Sequence, residues 1–317
     1  MRRPRTSERQ AQQTRNDALA EVARKSAAFR PAREVLRTVR AVPTIFPQID
    51  HALGVGGWPI DRIATLSGPS SEGKSGLANG LGLSFLRAGH FYKLIDAERS
   101  TPIEWLAKWF GPHVDSPGFS ASRPANYEAA VDEVRAWANT IGEAKSKGRL
   151  PPDTTGLVVV DSIRKLVPKG FVDKVAKAAS DKTGVDGFGG RGAQIKAALH
   201  AAWLDELVPL LEQTGTALVF VTRESENIGA GPWEPNFKIT GGRAIVYDAS
   251  VVLRVERQWV YGPGAEGERK PVYGERHRVT VTKSKIANKI GKTIVAQFHT
   301  SNGVLVPEGY DLARDLV

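Results

Sequence analysis

The feature that most constrains this chain is the segment at residues 68–75, which reads Gly-Pro-Ser-Ser-Glu-Gly-Lys-Ser and completes the spacing G-x-x-x-x-G-K-[ST]. Such a loop surrounds a polyphosphate with backbone N–H groups, its lysine reaches the β/γ-phosphates, and the following hydroxyl binds Mg²⁺. It stands between a predicted strand, residues 62–67, and a predicted helix, residues 77–86. The segment therefore predicts an α/β fold that binds ATP and Mg²⁺, with Ser75 as a metal ligand and nucleotide contacts from Gly68, Pro69, Ser70, Ser71, Glu72, Gly73, Lys74, Ser75 and Gly76.

Composition limits the partners of this chain. Its 317 residues carry a net charge of +10, and a pI near 9.8 favours a polyanionic partner such as nucleic acid. The absence of cysteine excludes disulfides and cysteine nucleophiles and agrees with a reducing cytoplasm. No apolar run is long enough to cross a membrane, and the basic start has no apolar stretch behind it, so we expect no secretory signal and no membrane partner.

The hydrophobic pattern changes along the chain. Apolar strands alternate with amphipathic helices up to about residue 221, which predicts a mostly parallel sheet covered on both faces. The predicted strands are 91–95, 157–160 and 217–221, and the predicted helices are 103–110, 127–144 and 193–212. After Asp248 the pattern predicts antiparallel strands at 250–256, 279–283 and 293–298.

The first residues are polar and basic. We expect residues 1–16 to form a mobile basic arm, followed by a short helix at 17–29 with Asp17 as its cap and a short strand at 35–39. The helix has no apolar partner nearby in sequence.

Two carboxylates are candidates for the chemistry at the phosphate loop. Asp161 ends the buried strand Val158-Val159-Val160 at the sheet edge where the loop lies, so it can bind Mg²⁺, although an aspartate there can also be a helix cap. Glu98 follows a strand that we expect beside the loop strand, and it can orient and deprotonate an attacking water. The alternative for Glu98 is a solvated loop glutamate.

Six segments, in the same order along the chain, resemble motifs of the bacterial RecA recombinase family. They are Ile49 to Ile63, the phosphate loop, Ile95-Asp96-Ala97-Glu98, Val159-Val160-Asp161-Ser162, Thr240-Gly241-Gly242-Arg243-Ala244 and Lys283-Ser284-Lys285-Ile286-Ala287. The resemblance extends from about Ala18 to the C-terminus and implies a RecA-like ATPase core at 43–317, preceded by a polymerisation segment at 1–42. The implied architecture is a mostly parallel central sheet flanked by helices, with an antiparallel extension and an N-terminal helix.

The resemblance implies roles for individual residues. Lys74, Ser75 and Asp161 would bind Mg²⁺-ATP, Glu98 would be the catalytic glutamate, and Lys283 and Lys285 would reach the phosphates bound by a neighbouring protomer. Thr101 and Trp105 lie where the family packs the adenine, although the spacing differs by about one residue. The N-terminal helix would pack on the adjacent protomer of a filament. The two lysines can also be read as an ordinary solvated face.

Two segments match the DNA-binding loops of the family. Residues 182–192 would form the first and 226–242 the second, and both are rich in glycine. Basic side chains would neutralise phosphates, while Trp233 would stack on bases or instead anchor its own loop. The predicted DNA contacts are Arg191, Trp233, Lys238, Gly241, Gly242 and Arg243.

The chain also departs from the family. Arg223 stands where the family has a glutamine that senses the γ-phosphate, and it can contact phosphate or pair with Glu98. We expect a divergent member without the family's C-terminal domain. The resulting hypothesis is an ATP-dependent recombinase that forms filaments on single-stranded DNA and pairs it with double-stranded DNA. The alternatives are an accessory nucleotide-binding protein without strand exchange and a hexameric helicase.

Overall fold

A computed structural model of the chain describes residues 6–25, 38–170, 188–226, 237–240, 244–261, 272–287, 293–301 and 304–307. The chain divides into two compact units, residues 1–39 and 40–317. The predicted strand at 35–39 lies mostly outside the described residues, and Thr38 and Val39 have no regular structure.

Among the described residues of the first unit there is one helix, α1, at Thr6–Lys25. The predictions of a mobile arm over residues 6–16 and of a helix beginning at Asp17 were both wrong. No proline or glycine interrupts this stretch, and i,i+4 contacts support it, since Gln13 donates to Asp17 and Lys25 pairs with Glu21. Asp17 is therefore an interior helix residue and not a cap.

The second unit is built on a sheet of nine strands within the described residues, in the order β13-β12-β11-β10-β3-β7-β6-β4-β5. The strands are β3 Ile63–Ser67, β4 Phe91–Asp96, β5 Phe119–Ser122, β6 Gly156–Asp161, β7 Thr216–Val221, β10 Val251–Tyr261, β11 Val272–Ser284, β12 Thr293–Ser301 and β13 Val304–Pro307. Two small two-stranded sheets pair β1 Ala41–Val42 with β2 Trp58–Pro59 and β8 Glu224–Glu226 with β9 Phe237–Ile239.

The register of the parallel strands aligns their carboxyl ends. Leu66 of β3 pairs with Val221 of β7, which also pairs with Asp161 of β6, and Asp161 pairs with Asp96 of β4. Strand β10 joins β3 in parallel, and β10 to β13 then continue the sheet in antiparallel pairs. The predicted mostly parallel sheet with an antiparallel extension is therefore confirmed.

Helices cover both faces of the sheet. They are α2 Pro47–Leu53, α3 Lys74–Arg87, α4 Ile103–Phe110, α5 Tyr127–Ser146, α6 Phe188–Thr214 and α7 Ala244–Tyr247. Alternate strand residues face opposite sides, so Val159 packs in the core under α3 and α4, whereas Val158 and Val160 pack in the core under α5 and α6. Within the described parts of the chain, no helix combines the length and apolar character needed to cross a bilayer.

Helix α3 approaches its neighbours closely through two glycines. A Cβ at Gly80 would collide with the buried ring of Phe46, and a Cβ at Gly82 would lie 2.6 Å from the ring of Tyr92. Both rings are fully buried, so neither can swing into solvent. The helix that follows the phosphate loop can therefore pack this closely against Phe46 and Tyr92 because residues 80 and 82 have no side chains.

We expect Gly80→Ala and Gly82→Ala each to lower the free energy of unfolding. Alanine improves intrinsic helix propensity by about 1 kcal/mol, but overpacking against a fixed ring costs about 1–3 kcal/mol. Urea denaturation followed by circular dichroism measures the difference. Gly170→Ala is the control, since a Cβ there meets nothing within 4 Å. A gain in stability at Gly80 or Gly82 would show that this close packing is wrong.

Candidate functional site

The phosphate loop joins the end of β3 to the start of α3. Gly68 has φ +148° and Gly73 has φ +90°, conformations that favour glycine. A Cβ at Gly68 would also collide with the carbonyl of Val255, and one at Gly73 would lie 2.5 Å from Nδ1 of His277. The N-cap residue, Gly73, provides no side-chain cap for the first N–H groups of α3, and these groups point toward the loop as donors for an anion.

Lys74 lies at the first position of α3 and is almost fully buried. Its ammonium donates to the carbonyl of Pro69, and burial lowers the pKa of Lys74, opposed by the nearby charge of Asp161. A neutral carbonyl is a weak acceptor for an ammonium that has lost its water, so a polyanion at this position would be a better partner.

A cavity of about 320 Å³ opens beside the loop. It brings together the predicted residues Lys74, Ser75, Glu98, Asp161 and Arg223 from four different segments. The lining residues of the loop itself are Ser70, Ser71, Glu72, Gly73, Lys74, Ser75 and Gly76. Gly68 and Pro69 form the strand side of the loop and do not line the cavity.

Asp161 ends β6 and accepts a hydrogen bond from the Ser75 hydroxyl. The pKa of Asp161 is raised to about 6, mainly by burial; the Glu98 carboxylate also raises it, whereas the Ser75 hydroxyl and Lys74 lower it. A hydroxyl and a carboxylate side by side are hard oxygen ligands of the kind Mg²⁺ prefers. Among the described residues, no cluster of three or more acidic or histidine side chains could hold a metal by itself.

Glu98 lies in a rigid turn after β4. Its backbone N–H donates to the carbonyl of Asp161 at 3.2 Å. The turn is held by the buried Asp96 carboxylate, which accepts from the N–H groups of Ser100 and Thr101, at 3.3 and 3.2 Å, and from Nε of Arg123 at 3.0 Å. The Glu98 side chain therefore reaches the cavity from a fixed backbone.

Both carboxylate oxygens of Glu98 are engaged by other side chains. Nη2 of Arg223 lies 3.2 Å from Oε1 and 3.1 Å from Oε2 of Glu98, and the Ser162 hydroxyl donates to Oε1 at 2.7 Å. Of the two partners that the sequence left open for Arg223, phosphate and Glu98, the structure shows the pair with Glu98.

Of the two residues predicted to contact the base, only one lines the cavity. Trp105 lines the cavity, but Thr101 does not: its N–H donates to Asp96 and its carbonyl accepts from Arg123. The backbone of Thr101 is used instead to hold the turn that carries Glu98. Trp109 lies one helical turn after Trp105 and also lines the cavity. Its i,i+4 spacing from Trp105 is the signal that could have revealed it.

The antiparallel ribbon of β10 and β11 supplies contacts that the sequence did not indicate. Nδ1 of His277 lies 3.0 Å from the carbonyl of Glu72, the backbone N–H of Arg257 donates to the Glu72 carboxylate, and Glu275 lines the cavity. These residues lie about two hundred positions from the loop, and no local motif marks them.

The sequence also matches known proteins. The family model described as RecA N-terminal domain matches residues 17–304. The chain belongs to the RecA family. It is 30% identical over 273 residues to Protein RecA of Streptomyces rimosus, covering 85% of this chain and 64% of that protein. It is 31% identical over 249 residues to Protein RecA of Tropheryma whipplei, covering 78% of this chain and 49% of that protein. For Protein RecA of Frankia casuarinae the identity is 29%, with 86% and 70% covered. The match thus spans from about half to 70% of these relatives.

In this RecA-family chain, Lys283 and Lys285 contact the chain's own backbone. Nζ of Lys283 donates to the carbonyls of Val246 and Tyr247 at 2.6 Å, and Nζ of Lys285 donates to the Tyr247 carbonyl at 2.8 Å. Burial, and then the neighbouring Lys285 charge, lower the pKa of Lys283. Both lysines lie outside the cavity lining, so their predicted use by a neighbouring protomer stays a prediction.

The predicted DNA-binding segments contain more regular structure than expected. Helix α6 begins at Phe188, so Arg191 lies in its first turn and not in a loop, because the helix continues N-terminally through Gly189 and Gly190. In the second segment, Glu226 pairs with Phe237 and Ser225 with Lys238 in a short hairpin. The remaining predicted contacts, Trp233, Gly241, Gly242 and Arg243, lie outside the described residues.

We expect Asp161→Asn to stabilise the ligand-free protein at about pH 8. The pKa of Asp161 in the folded state, about 6, is above its ordinary value of 3.8, so the folded protein binds this proton more tightly than the unfolded chain. Stability therefore falls as the pH rises from 3.8 through about 6, where the buried carboxylate ionises. Removing that charge should add about 1–2 kcal/mol at high pH and little below about pH 4.

Thermal unfolding of both proteins across this pH range measures the effect. The exposed Asp153 provides the matched control, since Asp153→Asn should change stability little at any pH. Equal melting temperatures for Asp161→Asn and the wild type at about pH 8 would contradict the assignment of a costly buried charge.

Proposed function

We propose that this chain is a DNA-dependent ATPase that assembles on single-stranded DNA and promotes homologous pairing and strand exchange. The observation that carries the proposal is the convergence of Lys74, Ser75, Asp161 and Glu98 on one cavity, in a chain that matches the RecA family from residue 17 to 304. The net charge of +10 supports a polyanionic partner beyond the nucleotide.

Each residue of the site has a task that its geometry supports. The uncapped N–H groups of α3 and the Lys74 ammonium would bind phosphate oxygens, while Ser75 and Asp161 would hold Mg²⁺. Trp105 would pack against the base. Glu98 would orient a water and accept its proton. The bound nucleotide supplies the phosphoryl group for hydrolysis, and the protein contributes position and charge.

The proposal assigns a role to subunit assembly. Lys283 and Lys285 would leave the neutral carbonyls of Val246 and Tyr247 for phosphates bound by a neighbouring protomer, as a cation supplied in trans does. Arg191, Trp233, Lys238, Gly241, Gly242 and Arg243 would contact DNA, mainly its backbone. The polymerisation segment would be residues 1–42, and the ATPase core residues 43–317.

An accessory protein that binds nucleotide without strand exchange is the second candidate. One observation favours it: Arg223 and Ser162 already occupy the carboxylate oxygens of Glu98. A D-loop assay separates the two candidates, since only the recombinase joins single-stranded DNA to a homologous duplex.

We expect single-stranded DNA to raise the ATPase rate by on the order of tenfold or more, because assembly would bring cations to the phosphates in trans. Lys74→Ala should lower the stimulated rate by at least about a hundredfold. A coupled-enzyme assay with and without DNA measures both. Lys147→Ala is the control, since Lys147 is an exposed cation paired with Glu143 on α5. Folded wild-type protein with no DNA stimulation would refute the proposed activity.

We also expect Leu19→Asp with Val22→Asp to prevent filament formation. These side chains are 60% and 54% exposed, and they lie on one side of α1 where the proposed contact would bury them. Electron microscopy of DNA complexes formed with ATPγS measures the result. Gln10→Asp, on the opposite side of α1, is the matched control and should leave filaments intact. Normal filaments from the double variant would exclude this helix as the contact.

A further inference from the structure

The pair between Arg223 and Glu98 has consequences beyond the proposed ATPase, on which this inference rests. Arg223 reaches both oxygens of Glu98, at 3.2 and 3.1 Å, and the Ser162 hydroxyl donates to one of them. A general base needs an oxygen directed at water. In this conformation both oxygens of Glu98 already accept hydrogen bonds from the protein.

Arg223 is placed so that only its side chain can change partners. Neighbouring N–H groups fix the strand, since Thr222 donates to Leu66 and Glu224 donates to Gly68. The carbonyl of Arg223 accepts from both the N–H and the hydroxyl of Thr240. The side chain of Arg223 is 35% exposed, and Arg223 lines the same cavity as Lys74.

A phosphate would compete strongly for this guanidinium. The planar fork of arginine matches phosphate oxygens, and a terminal phosphate carries more negative charge than one carboxylate. Glu98 holds Arg223 through a single nitrogen, Nη2, so the present pair uses only part of the fork. Transfer of the guanidinium to phosphate would leave Glu98 with the Ser162 hydrogen bond and one free oxygen.

We propose that Arg223 is a positioning residue that holds Glu98 away from water in the nucleotide-free chain and releases it on binding the terminal phosphate of a nucleoside triphosphate. Hydrolysis would then begin only after the third phosphate is present, and a diphosphate would leave the pair closed. The side-chain exchange needs no movement of the strand.

The test is a double-mutant cycle on nucleotide affinity, measured by calorimetry with Mg²⁺ and either ATPγS or ADP. In the wild type, triphosphate binding must break the pair, so Glu98→Gln should tighten ATPγS binding by about threefold or more and leave ADP unchanged. Arg223→Gln should weaken ATPγS alone. In the double variant the gain from Glu98→Gln should disappear, because no guanidinium remains to be released.

Two further variants keep the test interpretable. Arg135 and Glu206 form an exposed pair with two hydrogen bonds, at 2.6 and 2.9 Å, so Arg135→Gln with Glu206→Gln is the matched control and should change neither affinity. Arg223→Lys keeps the charge without the fork and should fall between the wild type and Arg223→Gln. It also replaces Arg223→Gln if that variant does not fold.

The ATPase rate without DNA provides a second measurement. Arg223→Gln should raise the KM for ATP without raising kcat, because at saturating ATP the bound terminal phosphate has already released Glu98 in the wild type. Equal ATPγS affinity of Glu98→Gln and the wild type, or additive effects in the cycle, would overturn the inference. Loss of DNA stimulation in the wild type would instead refute the proposed function, and the affinity cycle would still be readable.

Discussion

The site depends on the parallel register of strands β3, β7, β6 and β4. Because these strands run in the same direction and end at the same level, Gly68, Arg223, Asp161 and Glu98 meet at one edge although they are far apart in sequence. Parallel strands of this kind require helices on both faces, and the two separate cores on either side of the sheet meet that requirement. A displacement of one strand by a single residue would place its side chains on the wrong face.

The same edge concentrates charge that has lost its water. Burial lowers the pKa of Lys74 and raises that of Asp161 to about 6, so each is disfavoured in its charged form despite the other's attraction. The protein relieves part of this through the Pro69 carbonyl, the Ser75 hydroxyl and the pair between Arg223 and Glu98. Functional sites commonly lower the stability of the ligand-free protein in this way, because the groups that would best pair with their buried charges belong to the ligand.

The sequence predicts the parts of this molecule that have local signals. Continuous apolar runs correctly predicted β4, β6 and β7, and helical spacing placed α4 at its observed limits. The start of α1 was missed because its first turns lack apolar residues, although their helix propensity and i,i+4 pairs suffice to form it. The hairpin at Ser225 and Lys238 was missed for the opposite reason, since glycines between its strands indicated a loop.

The residues that belong to sequence motifs, such as Lys74, Ser75 and Asp161, line the same cavity, as the sequence predicts. The contacts made by the β10–β11 ribbon could not be predicted from the sequence. His277 and Arg257 contact Glu72 only because β10 packs beside β3, which is a property of the whole sheet. The backbone N–H of Thr101 donates to the Asp96 carboxylate and fixes the turn, and Thr101 does not line the cavity, so its predicted base contact stays a prediction. A local sequence pattern indicates which residues can bind phosphate or metal, but the pairing of distant strands determines which other side chains lie beside them.

The two glycines of the phosphate loop differ in what would permit their replacement during evolution. Gly68 faces the backbone of Val255, which every amino acid at position 255 would present, so no second substitution can relieve that contact. Gly73 faces the side chain of His277, so a smaller residue at position 277 would remove these nearest contacts, while the φ of +90° at Gly73 would still favour glycine. Sequence drift at position 73 should therefore be coupled to position 277, whereas position 68 should stay invariant however the ribbon changes.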